Sequence, residues 1–318
     1  MKKLGALLFF ISIYLLLPLT GHMQQSSNSS FGDEDEAVIK VTTSNINLPV
    51  SVLNEKGRFV TNLKQQNFQV YENNILQPII EFHSQTDLPL NVALLMDTST
   101  SVRNRLEFEK VSIKSFLGTV LQGKRDKVAF YTFDTAVQMR EDFTNDLQKV
   151  LSTVDGLKVA NGQTSFYDAV FKVCRDKMAR ANSRRKVIVV ITDGADTNST
   201  VTLQQTIDLA QKTETTVFGI STKGGAVFRV EGTPYLNADD KDLRKLCRET
   251  GGDVLFPSNP EELTRAFQVV TEFLRNQYLL VYEPTLTSDG KYHEIEVKIV
   301  GQKEKNLLAL TRKGYLAK

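Results

Sequence analysis

The stretch ALLMDTSTSVRN, residues 93–104, decides the fold. Its apolar run ends in Asp97, and hydroxyl side chains follow at two-residue spacing, at Ser99 and Ser101. The stretch KVIVVITDG, residues 186–194, has the same form, because a continuous apolar run again ends in an aspartate. Strands that are apolar throughout are typical of a parallel sheet covered on both faces. Ligand sites in such sheets form beyond the carboxyl ends of the strands, so these polar side chains are candidates for a site.

Outward from these two strands, apolar strand patterns alternate with amphipathic helical patterns from Leu90 to Arg275. RLEFEKVSIKSFLGTVL and SFYDAVFKVCRDKMARA are two of the helical patterns, and KVAFYTFD and TVFGIST are two of the strands. This alternation predicts an α/β fold with a doubly wound, mostly parallel sheet, since consecutive parallel strands are joined by right-handed crossovers.

The segments on either side of this α/β region have short strand patterns separated by turn residues. Neither segment is large enough to hold a hydrophobic core alone. We therefore expect them to pair into one small sandwich-like β domain, into which the α/β domain is inserted. The predicted division of the chain is a leader at 1–23, a polar spacer at 24–36, the two β-domain halves at 37–86 and 276–318, and the α/β domain at 87–275.

The N-terminal leader has Lys2 and Lys3 before an apolar run from Leu4 to Leu19, which is the layout of a secretory signal. The run is shorter than the roughly 20 residues that usually span a bilayer. We expect the chain to be secreted, periplasmic or held at the membrane by an uncleaved leader. A net charge of +2 over 318 residues, without a basic stripe, gives no support for nucleic-acid binding.

The two cysteines, Cys174 and Cys247, both fall in helical patterns. Two cysteines do not make a disulfide scaffold, and we expect both to be small buried side chains. The three histidines are scattered and do not form a zinc-binding set.

The chemistry of the strand ends points to a cation. We expect the strands that end in Asp97 and Asp193 to lie side by side at the centre of the sheet. Two neighbouring carboxylates repel each other unless a cation or a proton lies between them. Together with the hydroxyls of Ser99 and Ser101, they form a set of oxygen ligands that suits Mg²⁺, Mn²⁺ or Ca²⁺ and disfavours zinc or copper.

These motifs resemble those of von Willebrand factor A domains. DTSTS is similar to the Asp-x-Ser-x-Ser pattern of that family's metal-ion-dependent adhesion site, and NGQTSFYDAV and ITDGAD are similar to its second and third loops. The resemblance covers residues 88–275, and the flanks are similar to a bacterial subset of these proteins. It implies a metal site formed by Asp97, Ser99, Ser101, Thr164 and Asp193. Thr100 stands where the family usually has a glycine.

The resemblance implies a non-enzymatic protein that uses the cation to bind an acidic residue of a protein partner. Asp196, Thr100 and Gln163 are the candidate partner contacts. Two alternatives stay open: a magnesium-dependent hydrolase or phosphoryl-transfer enzyme, and a structural envelope protein with a stabilising metal. No P-loop, G-x-S-x-G or Asp-x-Asp motif supports the enzymatic alternative. Taken singly, Asp97 is also an ordinary helix-cap or turn aspartate, and we expect Asp168 to be a solvated helix residue.

Overall fold

The computed structural model describes residues 45–84, 88–121, 125–192, 196–222, 240–284, 289–301 and 306–317. The predicted leader at 1–23, the spacer at 24–36 and Asp193 lie outside the described residues. Among the described residues there is no helix long and apolar enough to cross a membrane.

In the part of the chain that the structure describes, six strands form the central sheet, in the order β10-β9-β8-β5-β6-β7. All neighbouring strands are parallel except β6 and β7, which are antiparallel. The strands are β5 (Leu90–Asp97), β6 (Lys127–Phe133), β7 (Val137–Thr144), β8 (Arg185–Thr192), β9 (Thr215–Ser221) and β10 (Val254–Leu255). The apolar runs of β5 and β8 are buried along nearly their whole length, as expected for central strands covered on both faces.

Within the described residues, six α-helices cover the two faces of this sheet. They are α1 (Leu106–Val120), α2 (Leu147–Asp155), α3 (Phe166–Asp176), α4 (Leu203–Lys212), α5 (Lys241–Glu249) and α6 (Pro260–Arg275). Successive side chains of a strand point to opposite faces. Leu94 and Met96 of β5 therefore pack in a core with α1, α2 and α6, whereas Ala93 and Leu95 pack in a second core with α3, α4 and α5.

The residues flanking the α/β domain form two antiparallel four-stranded sheets, with strand orders β13-β1-β11-β4 and β14-β12-β2-β3. The strands before the α/β domain are β1 (Ile46–Leu53), β2 (Phe68–Glu72), β3 (Ile75–Gln77) and β4 (Ile79–His83). Those after it are β11 (Gln277–Tyr282), β12 (Tyr292–Ile299), β13 (Leu308–Leu310) and β14 (Gly314–Leu316). We call these eight strands the β module. Both sheets mix strands from the two segments, since β1 pairs with β11 and β2 pairs with β12.

The β module shares one core, in which Leu48, Val70 and Ile295 are buried together. The predicted fold class is confirmed: a mostly parallel sheet with helices on both faces is accompanied by two antiparallel sheets built from the flanking segments. Pairing across the segments gives each sheet more strands than either segment supplies to it alone.

A polar contact joins the β module to the α/β domain beside Glu214, in the turn between α4 and β9. The Glu214 carboxylate accepts hydrogen bonds from the backbone N–H and the side-chain amide of Asn47, each at 3.0 Å. The guanidinium of Arg312, which is only 5% exposed, donates to Glu214 at 3.4 Å and to the Asn47 carbonyl at 3.2 Å. Residues from β1, the α4–β9 turn and the β13–β14 turn therefore hold one another in place.

Both cysteines are buried in the core on the α3, α4 and α5 face, and neither forms a disulfide. Burial raises the pKa of the Cys174 thiol to about 12. Cys174 is therefore a protonated, small apolar side chain in this core, in agreement with the prediction.

Candidate functional site

Asp97, the last residue of β5, is fully buried. Its Oδ1 accepts a hydrogen bond from the backbone N–H of Ser99 at 2.8 Å, and its Oδ2 accepts one from the hydroxyl of Thr192 at 2.9 Å. Thr192 is the last residue of β8, the neighbouring strand. The carboxylate orientation is thus set by two neutral donors from the two central strand ends.

Three hydroxyl groups form a short chain beside this carboxylate. The Ser99 and Ser101 hydroxyl oxygens lie 2.9 Å apart, and the hydroxyl of Thr164 donates to Ser99 Oγ at 3.2 Å. Ser99 and Thr164 are buried, whereas Ser101 is exposed. The structure therefore brings together four of the five predicted ligand residues: Asp97, Ser99, Ser101 and Thr164.

Backbone hydrogen bonds hold the second loop, which precedes α3, against the first loop, which follows β5. The N–H of Ala160 donates to the Thr98 carbonyl at 2.8 Å, and the N–H of Thr100 donates to the Gly162 carbonyl at 3.4 Å. Gly162 leaves no room for a side chain, because a Cβ there would lie 2.9 Å from Asp134 Cβ and 2.8 Å from the Thr135 hydroxyl. The glycine of NGQTS is thus needed for the close approach of the second loop to the turn between β6 and β7.

The third loop follows β8, and its Asp193 lies outside the described residues. The pairing on which its predicted position depends is present, since β5 and β8 are adjacent and Met96 is in register with Ile191. Hydrogen bonds join the described part of this loop to the second loop. The N–H of Thr197 donates to the Thr164 carbonyl at 2.8 Å, and the Thr197 hydroxyl accepts from the Thr164 N–H at 3.0 Å.

Asp168 differs from the expectation that it would be a solvated helix residue. Its side chain accepts hydrogen bonds from the backbone N–H groups of Thr200 and Val201, each at 3.0 Å. It therefore ties the third loop to the first turn of α3. The sequence signal for Asp168 was its position as an acidic residue in the first turn of a helix. That signal does not reveal its hydrogen-bond partners, because they lie more than 30 residues further along the chain.

Asp196 also links the third loop to α3. Its Oδ1 accepts from the backbone N–H of Tyr167 at 3.2 Å and from the Ser199 hydroxyl at 2.7 Å. The carboxylate thus lies at the N-terminal turn of α3, where negative charge is favourable. Tyr167 in turn donates from its phenol to Asp242 of α5 at 2.6 Å. Burial, with a contribution from this bond, raises the pKa of Tyr167 above its ordinary value, so the phenol remains a donor.

The rim of the site is formed by exposed polar residues of the first two loops. Thr100 and Gln163 are exposed, and Asp196 is half-buried. The guanidinium of Arg103 spans the loops and donates to the side-chain oxygen of Asn161 at 2.9 Å. This arrangement leaves Ser101 accessible next to the buried Ser99.

The donor set fits a hard divalent cation. It combines the buried Asp97 carboxylate with the hydroxyl oxygens of Ser99, Ser101 and Thr164, and oxygen donors of these kinds suit Mg²⁺, Mn²⁺ and Ca²⁺. The hydroxyls bond one another, so each can rotate its hydrogen away and direct a lone pair to a cation. Within the described ranges there is no cluster of three or more His, Cys, Asp or Glu side chains suited to a metal.

An α/β sheet with a carboxylate and a chain of hydroxyls at the end of its central strand defines the class of protein. Residues 91–269 match the von Willebrand factor type A domain family, and the chain belongs to that family.

The chain is also 23% identical over 197 residues to an uncharacterized protein of Borreliella burgdorferi. That match spans 56% of this chain and 56% of the relative, so the chain covers little more than half of the relative's length.

Solved structures that are similar to the chain include the following three. An aerotolerance-related membrane protein from Bacteroides fragilis has a TM-score of 0.45 and 16% identity, over 57% of this chain and 98% of the other. BatB from Bacteroides thetaiotaomicron has a TM-score of 0.44 and 18% identity, over 58% and 98% of the two chains. The vWF domain of the type V pili tip protein Mfa5 from Porphyromonas gingivalis has a TM-score of 0.46 and 13% identity, over 59% and 95%.

Proposed function

We propose that this chain is an exported, non-enzymatic binding protein that uses a divalent cation to bind an acidic residue of a protein partner. The observation that carries the proposal is the hydroxyl chain Ser101–Ser99–Thr164 beside the buried carboxylate of Asp97. These residues, with Asp193, would hold the cation. Mg²⁺ is the first choice, and Mn²⁺ and Ca²⁺ are the alternatives.

The ligand types explain why such a site would bind a partner. Serine and threonine hydroxyls are neutral, so they neutralise little of the charge of a divalent cation. A bound cation would therefore supply a Lewis-acidic position for one further oxygen ligand. A carboxylate from a partner satisfies that position with both charge and coordination. The rim residues Thr100, Gln163 and Asp196 would surround the incoming segment and select among partners.

Binding is favoured over catalysis by the surroundings of the hydroxyls. A serine or threonine nucleophile is activated by metal coordination or, most commonly, by an adjacent general base such as histidine. The hydroxyls of Ser99 and Thr164 bond each other, whereas His83 and His293 lie on strands of the β module. The remaining histidine, His22, lies outside the described residues.

We further propose that the leader at 1–23 exports the chain, so that the binding site works outside the cytoplasm. The charged and apolar pattern of the leader supports this proposal. An uncleaved leader would hold the site near the membrane, and cell fractionation of the full chain and of a chain without residues 1–23 would separate these outcomes.

The test compares Ser99→Ala with a matched control, Ser115→Ala. Ser99 is buried in the site, whereas Ser115 is exposed on α1. Mg²⁺ at about one hundred times its Kd should stabilise the parent and the control by about 2.7 kcal/mol. Ser99→Ala should lose most of this response in calorimetry and thermal melts.

A binding assay with the chain immobilised on a surface then tests whether the site binds a partner. A protein captured from cell-surface extract should bind the parent and Ser115→Ala in Mg²⁺, and should dissociate in chelator. An equal metal response in all three proteins would reject the cation site. If the parent binds Mg²⁺ as expected, but partner capture is unaffected by chelator and by Ser99→Ala, the site has no role in partner binding.

A further inference from the structure

A buried ionic cluster lies in the β module, in strands that do not contribute to the candidate metal site. His293 on β12 is 1% exposed, and Glu72 on β2 is 3% exposed. The Nδ1 of His293 lies 2.7 Å from Glu72 Oε1, and its Nε2 lies 3.0 Å from Asp289 Oδ1. Asp289 is in the turn before β12, and its side chain is 28% exposed. The imidazole is thus held between two carboxylates.

Two tyrosines complete the bonding of Glu72. The phenols of Tyr282 on β11 and Tyr315 on β14 donate to Glu72 Oε2 at 2.7 and 3.1 Å. Burial, followed by the hydrogen bond to Glu72 for Tyr282 and by the negative charge of Glu72 for Tyr315, raises the pKa of both phenols above their ordinary value. They therefore remain donors at mildly alkaline pH. Glu72 comes from the segment before the α/β domain, whereas His293, Tyr282 and Tyr315, which bond its carboxylate, come from the segment after it.

The geometry requires a charged imidazole. A neutral ring has one N–H donor and one lone pair, whereas a protonated ring has two donors. Both ring nitrogens of His293 face carboxylate oxygens, so with both carboxylates ionised only the protonated ring satisfies both contacts. Burial alone would lower the pKa of His293, but the hydrogen bonds to Glu72 and Asp289 outweigh burial and raise the pKa above 6.5.

Other charged groups also lie near the His293 ring. The backbone N–H of Lys291, and then the His293 ring, lower the pKa of Asp289, so Asp289 stays ionised. Arg312, in the turn before β14, lies 5.7 Å from the centre of the Tyr315 ring and is paired with Glu214. The ring that faces Glu72 and Asp289 is therefore the group whose charge changes near neutral pH.

We propose that His293, held between Glu72 and Asp289, is a pH-sensitive latch that closes the two chain segments of the β module on each other. Protonated His293 joins β12 to β2, and its deprotonation places a ring lone pair against a carboxylate oxygen of Glu72 or Asp289. The module then opens more readily.

The direction of the pH effect follows from linkage. The folded state holds the proton of His293 more tightly than the unfolded chain does, so the contribution to stability is complete below about pH 6.5. It is lost as pH rises through the raised pKa of the folded state. Within that window the opening equilibrium of the module should increase by up to about tenfold per pH unit.

The test uses the purified full chain. The chain has three histidines, so the His293 ring signal can be assigned by NMR from its loss in His293→Gln. The signal should titrate above the ordinary value of about 6.5. Asp289→Asn should move the titration to lower pH while the chain stays folded, because Asp289 is at the surface end of the cluster. A ring that titrates at or below the ordinary value in the parent would overturn the proposal.

Hydrogen exchange of the β2 amides then measures opening directly. After correction for intrinsic exchange, β2 protection in the parent should fall as pH rises, whereas β8 protection should not follow the His293 titration. In Asp289→Asn the fall should begin at lower pH, and in His293→Gln it should vanish. Parent protection that shows no dependence on the His293 titration would overturn the latch, even if His293→Gln fails to fold.

Discussion

The hydroxyl of Thr164 donates a hydrogen bond to the hydroxyl of Ser99 at 3.2 Å, across 65 residues of chain. This bond joins the loop before α3 to the loop after β5 and aligns two of the proposed cation ligands. Backbone hydrogen bonds between the two loops, including one from the Thr100 N–H to the Gly162 carbonyl, support this contact.

Thr164→Val should weaken Mg²⁺ binding by about tenfold or more, which corresponds to about 1.4 kcal/mol. Valine has a similar shape but lacks the oxygen ligand, and Ser99 keeps its contact with Ser101. Titration calorimetry measures the affinity, and Thr164→Ser, which keeps the hydroxyl, is the control. Equal affinities for the parent and Thr164→Val would remove Thr164 from the ligand set.

Gly162→Ala should destabilise the chain by about 1–3 kcal/mol, because the added methyl overpacks the contact with Asp134 and Thr135. It should also weaken Mg²⁺ binding, since the second loop carries Thr164 and must shift away from Asp134 and Thr135. Gly118→Ala is the matched control. Gly118 is exposed on α1 with nothing within 4 Å of a Cβ, so alanine there should stabilise the helix by about 0.5–1 kcal/mol. Urea unfolding in chelator separates folding from metal binding, and the prediction fails if both alanines have the same effect.

Arg312→Met should destabilise the chain by about 3–5 kcal/mol, as expected when one partner of a buried ion pair is removed. The reason is that Glu214 loses its cation while the Gln211 and Asn47 carbonyls lose a donor. Lys298→Met is the control, because the Lys298–Glu296 pair is about half exposed on both sides and should contribute less than about 1 kcal/mol. Urea unfolding of both variants measures the difference. Similar losses of unfolding free energy in both variants would show that the contact between Arg312 and Glu214 contributes no more than a surface ion pair.

A chain that ends at Glu283 should become sensitive to protease between Phe68 and His83. The truncation removes β12, which pairs with β2, and β13, which pairs with β1. The freed β2 and β3 would be a two-stranded hairpin, which is marginally stable in water. Limited proteolysis with mass spectrometry locates the first cuts. The full chain is the reference, and a truncated chain whose β2–β4 region resists protease equally well would show that these strands do not depend on β12–β14.

The sequence by itself determined the features that depend on short-range pattern. Continuous apolar runs predicted the central strands β5 and β8, and their ends placed Asp97, Ser99 and Ser101 at the carboxyl edge of the sheet. Burial on both faces and the chemistry of strand ends are local properties, so they can be read within a window of about ten residues. Thr164 was predicted from the resemblance of its loop to a known family, and the fold class from the alternation of patterns.

Only the tertiary structure decided which distant side chains meet. Asp168 was expected to be solvated, yet it binds the third loop at Thr200, 32 residues away. Glu72 and His293 are 221 residues apart, and neither lies in a motif. Such contacts depend on strand register and on how helices pack, because a shift of one residue in a strand turns each side chain to the other face. The hydroxyls and carboxylate of the candidate site could therefore be predicted as a set, whereas the network that supports them and the ionic cluster of the β module could not.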